Sequence, residues 1–314
     1  MKKISVVLPV YNEQEGLPAF HKALRHVLDG LADRYEFEIL YVLDRSRDDS
    51  IGVVRQLAVA DPAVTGLHLS RRFGHQLSLL AGIDHSQGEA VIMMDCDLQH
   101  PPEVIPELLE RFEQGHDIVQ TIRRYDRRVG FLKRMTSRFF YRLQNALSPI
   151  EIQEGAADFR LISRKVANVF HDEIREQNPF LRGLFRWVGY NTATVYFVSP
   201  PRVVGETKYR LAQLLTFSIA GITSFSKLPL RISSLLGMAM SFASLLYGLF
   251  IVAAYFIAGS LPRGYTSLIV AMLFIGGLQL VVLGVIGEYL GEIFDEVKRR
   301  PLYIVDEIVK GQPK

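Results

Sequence analysis

Two carboxylates one residue apart, Asp95 and Asp97, follow the apolar run Val91-Ile92-Met93-Met94. Such a run reads as a buried strand. On extended backbone alternate side chains point the same way, so both carboxylates face one side at the strand's carboxyl end. Pro101-Pro102 stops any ladder, and Glu103 begins a helical pattern. Hard oxygen donors placed this way suit Mg2+ or Mn2+, above all a cation shared with the diphosphate of a substrate. The plainer reading is a strand end whose aspartates cap the next helix.

The elements that must position this pair alternate along the chain. Ile4 to Val10 reads as a first buried strand, followed by the loop Tyr11-Asn12-Glu13 and a helix from Gly16 to Leu31. Phe37 to Val42 is a second strand that runs into Asp44, and Asp48-Asp49-Ser50 opens a helix with residues suited to its N-terminus. A short strand at Thr65 to Leu69, a helix at Phe73 to His85, the strand Val91 to Met94 and a strand at Asp117 to Thr121 complete the series. Strands alternating with helices imply a mainly parallel, Rossmann-like α/β sheet with helices on both faces. Ligands of such sheets sit beyond the carboxyl ends of the strands, where Pro9, Tyr11, Glu13, Asp44, Asp95 and Asp97 all fall.

Among 314 residues, 36 are basic and 33 acidic, a net charge of +3 that argues against nucleic acid as a partner. One cysteine, Cys96, excludes an internal disulfide framework and a thiolate zinc site. Met1-Lys2-Lys3 leads straight into a strand, with no apolar signal region expected. No charged residue lies between Arg231 and Arg263, nor between Arg263 and Glu288. Each stretch exceeds the roughly 20 residues that cross a bilayer, so 232–257 and 266–287 are expected transmembrane helices. Small residues such as Gly237, Ser241, Gly276 and Gly284 would let them pack closely. Lys227 and Arg231 before the first span, and Lys298, Arg299 and Arg300 after the second, put both flanks in the cytoplasm by the positive-inside rule.

Several motifs in order resemble a known family: Leu8-Pro9-Val10-Tyr11-Asn12-Glu13, Asp44-Arg45-Ser46-Arg47-Asp48-Asp49-Ser50, Ser70-Arg71-Arg72-Phe73-Gly74, Asp95-Cys96-Asp97-Leu98-Gln99-His100-Pro101-Pro102-Glu103 and Ala157-Asp158-Phe159-Arg160-Leu161. The chain is similar to polyisoprenyl-phosphate glycosyltransferases of the inverting glycosyltransferase family 2, which have a GT-A fold. Gly287-Glu288-Tyr289-Leu290-Gly291 and Arg299-Arg300-Pro301-Leu302-Tyr303 resemble the bacterial two-span members. By this resemblance Pro9, Tyr11, Glu13 and Asp44 would hold the nucleotide of a sugar donor, with Asp95 on its nucleotide side. Asp97 and Gln99, with Asp95 beside them, would ligate Mg2+ or Mn2+. Asp158 stands where the family has a candidate catalytic carboxylate, or else is a structural acid paired with Arg160. Lys208, behind Gly205, would meet the acceptor's lipid phosphate together with Arg123, Arg138 and Arg160. One departure stands out: Leu43-Asp44-Arg45-Ser46 replaces the family's usual Asn-Asp-Gly-Ser, putting a bulky side chain where glycine would permit positive φ.

The resulting expectation is a cytoplasmic GT-A domain over 1–208, an interfacial amphipathic helix region over 209–231, two transmembrane helices within 232–290 and a cytoplasmic tail over 291–314. The segment from Arg123 to Arg142 carries eight basic residues against the single acid Asp126. It is either a solvated helix face or a membrane-facing surface, each cation contributing about 1 kcal/mol at anionic headgroups. Leu302 to Val309 alternates partly like a strand that could add to a neighbouring subunit's sheet; the resemblance favours a homo-oligomer, a tetramer. The expected partners are a nucleotide sugar, with UDP-glucose before UDP-N-acetylglucosamine or a modified pentose donor, and undecaprenyl phosphate in a bacterial inner membrane. The expected product is β-linked, by a single inverting displacement. A processive polysaccharide synthase would carry Gln-x-x-Arg-Trp, but Gly183 stands in the glutamine's place before Arg186-Trp187. A non-catalytic membrane scaffold would keep the fold without an intact Asp95, Asp97 and Gln99.

Overall fold

The computed structural model describes residues 1–124, 155–198, 226–258 and 264–310. Among the described residues eight strands form one sheet: β1 (Lys2–Val10), β2 (Tyr35–Leu43), β3 (Val64–Leu69), β4 (Ala90–Met93), β5 (Ile118–Arg124), β6 (Ala156–Ser163), β7 (Thr192–Val198) and β8 (Val305–Lys310). Their order across the sheet is β7-β5-β6-β4-β1-β2-β3-β8. The four strands at its heart, β4-β1-β2-β3, run parallel. β6 is antiparallel to both β4 and β5, and β8 closes the far edge antiparallel to β3. The mainly parallel α/β sheet expected from the alternation is the one observed.

β1 shows why the central strands read as continuous apolar runs: both of its faces are covered. Ile4, Val6, Leu8 and Val10 pack with α1 (Leu17–Asp29), α2 (Ser50–Ala60) and α4 (Ile105–Glu113), around Phe20, Leu24, Val54 and Leu108. Val7 faces the opposite layer, where α3 (His75–His85), α5 (Arg164–Asp172) and α6 (Leu181–Trp187) bring Leu79, Val166 and Phe185 to the sheet. α3 lies so close to β1 that a Cβ on Gly82 would stand 2.1 Å from Val7 Cγ1. That approach fixes the helix whose first turn reaches the site.

Strand β5 continues beyond the expected Thr121 to Arg124, because Arg123 N–H bonds Gly155 O at 2.9 Å and the strand pairs with β7 as far as Val198. The helix expected from Phe73 starts instead at His75, after Gly74 turns the chain at φ +98°.

Two long helices follow, α7 (Leu228–Ala258) and α8 (Tyr265–Lys298). Their apolar windows are 6% and 0% buried within the chain, so they are not core helices of a soluble fold. They present Leu235, Phe242, Leu246, Phe274, Leu280 and Leu283 outward, as a bilayer-crossing pair does, and associate the protein with a membrane. At 34 residues α8 is about 51 Å long, against a hydrocarbon core of roughly 30 Å. Its C-terminal turns therefore extend past the span. There Glu296 accepts the Gln177 N–H at 2.7 Å, and Glu292 accepts from Asn178 Nδ2 at 3.2 Å. The tail then returns to the layer formed by α3, α5 and α6. Leu302 is buried, Tyr303 Oη donates to Asp84 at 2.7 Å, and β8 pairs with β3 of its own sheet. The expectation that this strand adds to a neighbouring sheet is corrected accordingly: β3's free edge lies within the same chain and takes it. Of the region 209–231 expected as an interfacial helix, residues 209–225 lie outside the described residues, and 228–231 form the first turn of α7.

Candidate active site

Of the expected site residues, Pro9, Tyr11, Glu13, Asp44, Asp95, Asp97, Gln99 and Arg123 lie at or just beyond the carboxyl ends of β1, β2, β4 and β5. Pro9 is buried in β1, and its carbonyl accepts from Cys96 Sγ at 3.4 Å. Burial pushes the Cys96 thiol well above its ordinary range, so it is an inert packing residue. Beyond β1, Asn12 takes a left-handed conformation (φ 56°), which asparagine tolerates better than most residues. The loop it turns is zipped to the loop after β2. Asn12 Oδ1 accepts the Arg47 N–H at 2.8 Å, Gln14 N–H donates to Asp48 at 3.0 Å, and Glu13 N–H donates to Ser50 Oγ at 3.1 Å. Tyr11 and Glu13 are thus held at the mouth of the sheet, with the Arg72 guanidinium 4.2 Å over the Tyr11 ring.

Asp44 is buried, and both its oxygens accept backbone N–H groups of the loop before α3, Phe73 at 2.7 Å and Gly74 at 2.8 Å. A carboxylate has about four lone-pair sites, so this leaves acceptor capacity for a ligand. Arg45 adopts no positive φ. The departure from glycine therefore carries no backbone strain, and its side chain reaches Ser70 O at 2.8 Å.

At the end of β4, Asp95 lies between two histidines. His75 Nε2 is 2.7 Å from Asp95 Oδ1. His100 Nδ1 accepts the Asp95 N–H at 2.9 Å, which assigns its ring proton to Nε2. Burial holds the His100 pKa low against the pull of the nearby Asp95 carboxylate, and the ring stacks on Phe159. Burial alone would raise the Asp95 pKa, but His100 and then His75 outweigh it and hold the carboxyl at about 2. Burial likewise opposes a charge on His75, and the Asp95 hydrogen bond overcomes it, raising the imidazole's pKa. Leu98 then turns left-handed (φ 61°). This turn sets Asp97 and Gln99 side by side, with Asp97 Oδ1 accepting the Gln99 N–H at 3.0 Å. Backbone in this region for a branched residue costs of order 1–3 kcal/mol and persists where the surroundings impose it.

Gln99 and Arg123, assigned by resemblance to the donor's metal and to the acceptor's phosphate, are adjacent: Arg123 Nη1 donates to Gln99 Oε1 at 3.4 Å. Arg138 and Lys208 lie outside the described residues.

β6 carries Asp158 and Arg160 on the α6 side of the sheet. Asp158 is 8% exposed and takes a fork from Arg182 of α6, Nε to Oδ1 at 2.9 Å and Nη2 to Oδ2 at 2.7 Å. Arg160 Nη2 adds a longer bond at 3.3 Å. Burial would push the Asp158 pKa up; Arg182 first, then Arg160 and His75, more than offset it and hold the carboxyl well below the usual carboxylate range. Arg160 is 1% exposed, with its guanidinium 4.5 Å over the Phe185 ring, bonded to Ala157 O, and lowered to about 10 by burial. The structural pairing weighed for Asp158 is therefore present, and Arg160 lies beneath the site rather than on its surface. Sequence reasoning missed Arg182, which belongs to no motif. It also missed His75, whose one signal was its place directly after Arg72-Phe73-Gly74.

Residues 5–170 match the family described as Glycosyl transferase family 2. The chain is 43% identical over 312 residues to the SfII prophage-derived bactoprenol glucosyl transferase of Shigella flexneri, covering 99% of this chain and 100% of that protein. It is 41% identical over 309 residues to the prophage bactoprenol glucosyl transferase homolog of Escherichia coli (strain K12), covering 98% and 100%. It is also 41% identical over 303 residues to the uncharacterized glycosyltransferase YkcC of Bacillus subtilis (strain 168), covering 96% and 93%. With the sheet, the loops at its carboxyl edge and a family match across more than half its length, the chain belongs to glycosyltransferase family 2 and is a membrane-associated glycosyltransferase of GT-A fold.

Proposed function

We propose that this enzyme transfers glucose from a nucleotide-diphosphate sugar, UDP-glucose, to a polyisoprenyl phosphate, undecaprenyl phosphate, with inversion to a β-linked lipid-phosphate sugar. The observation that carries the reading is the contact between Gln99 and Arg123. It supports the reading because Gln99, taken as a donor-side amide, and Arg123, taken as an acceptor-side cation, then meet at the sheet's carboxyl edge, in a chain that also has two bilayer-length apolar helices. The relatives named as bactoprenol glucosyl transferases supply the sugar and the carrier.

Each residue then has a task. Tyr11, Glu13, Pro9 and Asp44 line the nucleotide end, and Asp95 stands between them and the diphosphate. A lipid phosphate is already an anion, so the nucleophile needs no general base. Asp158, forked by Arg182 and kept ionised, acts through charge and geometry rather than by taking a proton. Arg123, with Lys208 and Arg138, screens the acceptor phosphate from the donor's and orients it for attack on the anomeric carbon.

The donor set fits a hard cation. Asp97 and Asp95 offer carboxylate oxygens, and Gln99 an amide oxygen whose present partner, Arg123, is at 3.4 Å. A Mg2+ or Mn2+ ion held there would share its sphere with phosphates and water. When bound, the cation stabilises the departing diphosphate as a Lewis acid. The flanks Lys227, Arg231 and Lys298 to Arg300 support a catalytic domain and both termini on the cytoplasmic side of the bacterial inner membrane, and the family resemblance supports a homo-oligomer, a tetramer.

The test is transfer itself. The purified full chain with undecaprenyl phosphate and Mg2+ is offered radiolabelled UDP-glucose, UDP-N-acetylglucosamine and a UDP-pentose in parallel. Label from UDP-glucose should enter the lipid phase. Label retained only in water with every donor overturns the reading.

A further inference from the structure

The position where family members carry glycine holds an arginine whose contact is specific. Arg45 follows Asp44 at the end of β2 and donates Nη1 to Ser70 O at 2.8 Å. Ser70 opens the loop 70–75, and this loop is bonded at nearly every residue. Asp44 accepts from Phe73 and Gly74 at 2.7 and 2.8 Å. Arg71 stacks on Phe73, and Arg72 on Tyr11, each at 4.2 Å. His75 meets Asp95 at 2.7 Å. The other side of Ser70 is held from an unexpected direction: its N–H donates to Ile304 O at 2.9 Å, in the tail that follows the second membrane helix. The tail is anchored next door by Leu302, by Tyr303 on Asp84, and by Gln177 Nε2 on Arg300 O at 2.6 Å.

We propose that Arg45 is a positioning residue for the nucleotide-sugar donor, and that it works with the post-membrane tail. Arg45 holds the carbonyl and Ile304 the N–H of a single peptide-bearing residue, Ser70. Together they set the loop that delivers Arg72 to Tyr11 and His75 to Asp95. Arg45 acts through Ser70 rather than on the donor itself. Its guanidinium replaces the conformational role of a glycine with a strut, and the tail ties the donor-side loop to the seating of α8. The inference rests on the reading of Tyr11 and Asp95 as donor-side residues.

Arg45→Ala and Arg45→Lys in the full chain test it, with binding of UDP and Mg2+ followed by calorimetry and transfer from UDP-glucose followed by rate. Loss of one charge-assisted hydrogen bond at an exposed site should weaken UDP binding and raise the donor KM by about three- to tenfold. kcat at saturating donor and the acceptor KM should stay within about twofold, and Arg45→Lys, which keeps a donor to Ser70 O, should recover most of the loss. Shortening the tail's grip by Leu302→Ala should move the same donor parameter in the same direction. Unchanged UDP affinity in Arg45→Ala overturns the proposal. So does a fall in kcat with donor KM unchanged, because that places Arg45 at the chemistry. Should Arg45→Ala not fold, the lysine variant carries the test: a donor KM raised as far as tenfold there also overturns it. Absence of UDP binding by the unaltered protein is a different result, and would overturn the donor-site reading itself.

Discussion

Replacing Asp158 by asparagine separates a structural charge from a proton-transferring one. The substitution keeps shape and removes charge. It leaves Arg160, 1% exposed beneath Phe185, without its only carboxylate among the described residues. Arg182 also loses its fork, but its side chain is 29% exposed and can hydrate. The cost therefore falls on Arg160. Removing one member of a buried ion pair costs about 3–5 kcal/mol. At about 2–4 °C per kcal/mol for a domain of this size, the apparent Tm should fall by about 6–20 °C. Adding Arg160→Met to Asp158→Asn removes the stranded charge and keeps an unbranched side chain against Phe185, so the double variant should recover at least half of the loss. The pH behaviour follows from the direction of the shift. The Asp158 pKa is depressed on folding, so its contribution is fully present above the unfolded value near 3.9 and is lost only as pH falls through the lower folded value. Stability should accordingly not change with Asp158 between about pH 5 and 9. The assay is thermal unfolding of the purified full chain in detergent, paired with transfer rates measured well below the melting temperature. Unchanged melting together with a loss of rate beyond about a hundredfold would refute the reasoning, because it would make Asp158 a group acting on the reacting atoms.

Gly82→Ala should destabilise by about 1–3 kcal/mol despite alanine's better helix propensity of about 1 kcal/mol, because its Cβ would meet Val7 Cγ1 at 2.1 Å; chemical denaturation of the full chain measures it. Asp97→Asn should reduce transfer at least a hundredfold while the fold persists, and the unaltered enzyme should stop in excess chelator and recover with Mg2+ or Mn2+; full activity in chelator would remove the cation from the account. Lys208→Ala should raise the KM for undecaprenyl phosphate and leave UDP affinity within about twofold, whereas lost UDP binding would move Lys208 to the donor. A cysteine at Ser260 should react with an impermeant reagent only from outside the cell; labelling confined to the cytoplasmic side would invert the topology.

What was legible in advance depended on period and on local spacing. β1 and β4 are apolar on both faces because both are covered, so their runs were readable without knowing their neighbours. That Asp95 and Asp97 follow a buried strand was readable, because an apolar run and a Pro-Pro stop bracket them within a few residues, but β4 ends at Met93, so the pair lies in the loop beyond it and not on extended backbone. The two spans needed only length and charge. Arg182 was not legible: it reaches Asp158 from a separate short helix, and nothing local marks that meeting. The pairing of β8 with β3 was hidden for a similar reason, since an edge strand's alternation says which face is wet and not which edge it joins. Arg45 shows the limit of a motif. Its type suggested strained backbone, but the left-handed non-glycine residues beside the site are Asn12 and Leu98, and Arg45's contact lies across the loop on Ser70.

The central claim is inverting transfer of glucose onto a lipid phosphate. It is tested most directly by the structure of the product made by the purified protein from UDP-glucose and undecaprenyl phosphate. Mass spectrometry should find one hexose added to the lipid phosphate, and NMR of the anomeric proton and phosphorus should show a single β-glucosyl phosphate. A free sugar, a polymer, or an α-linked lipid phosphate would contradict the account.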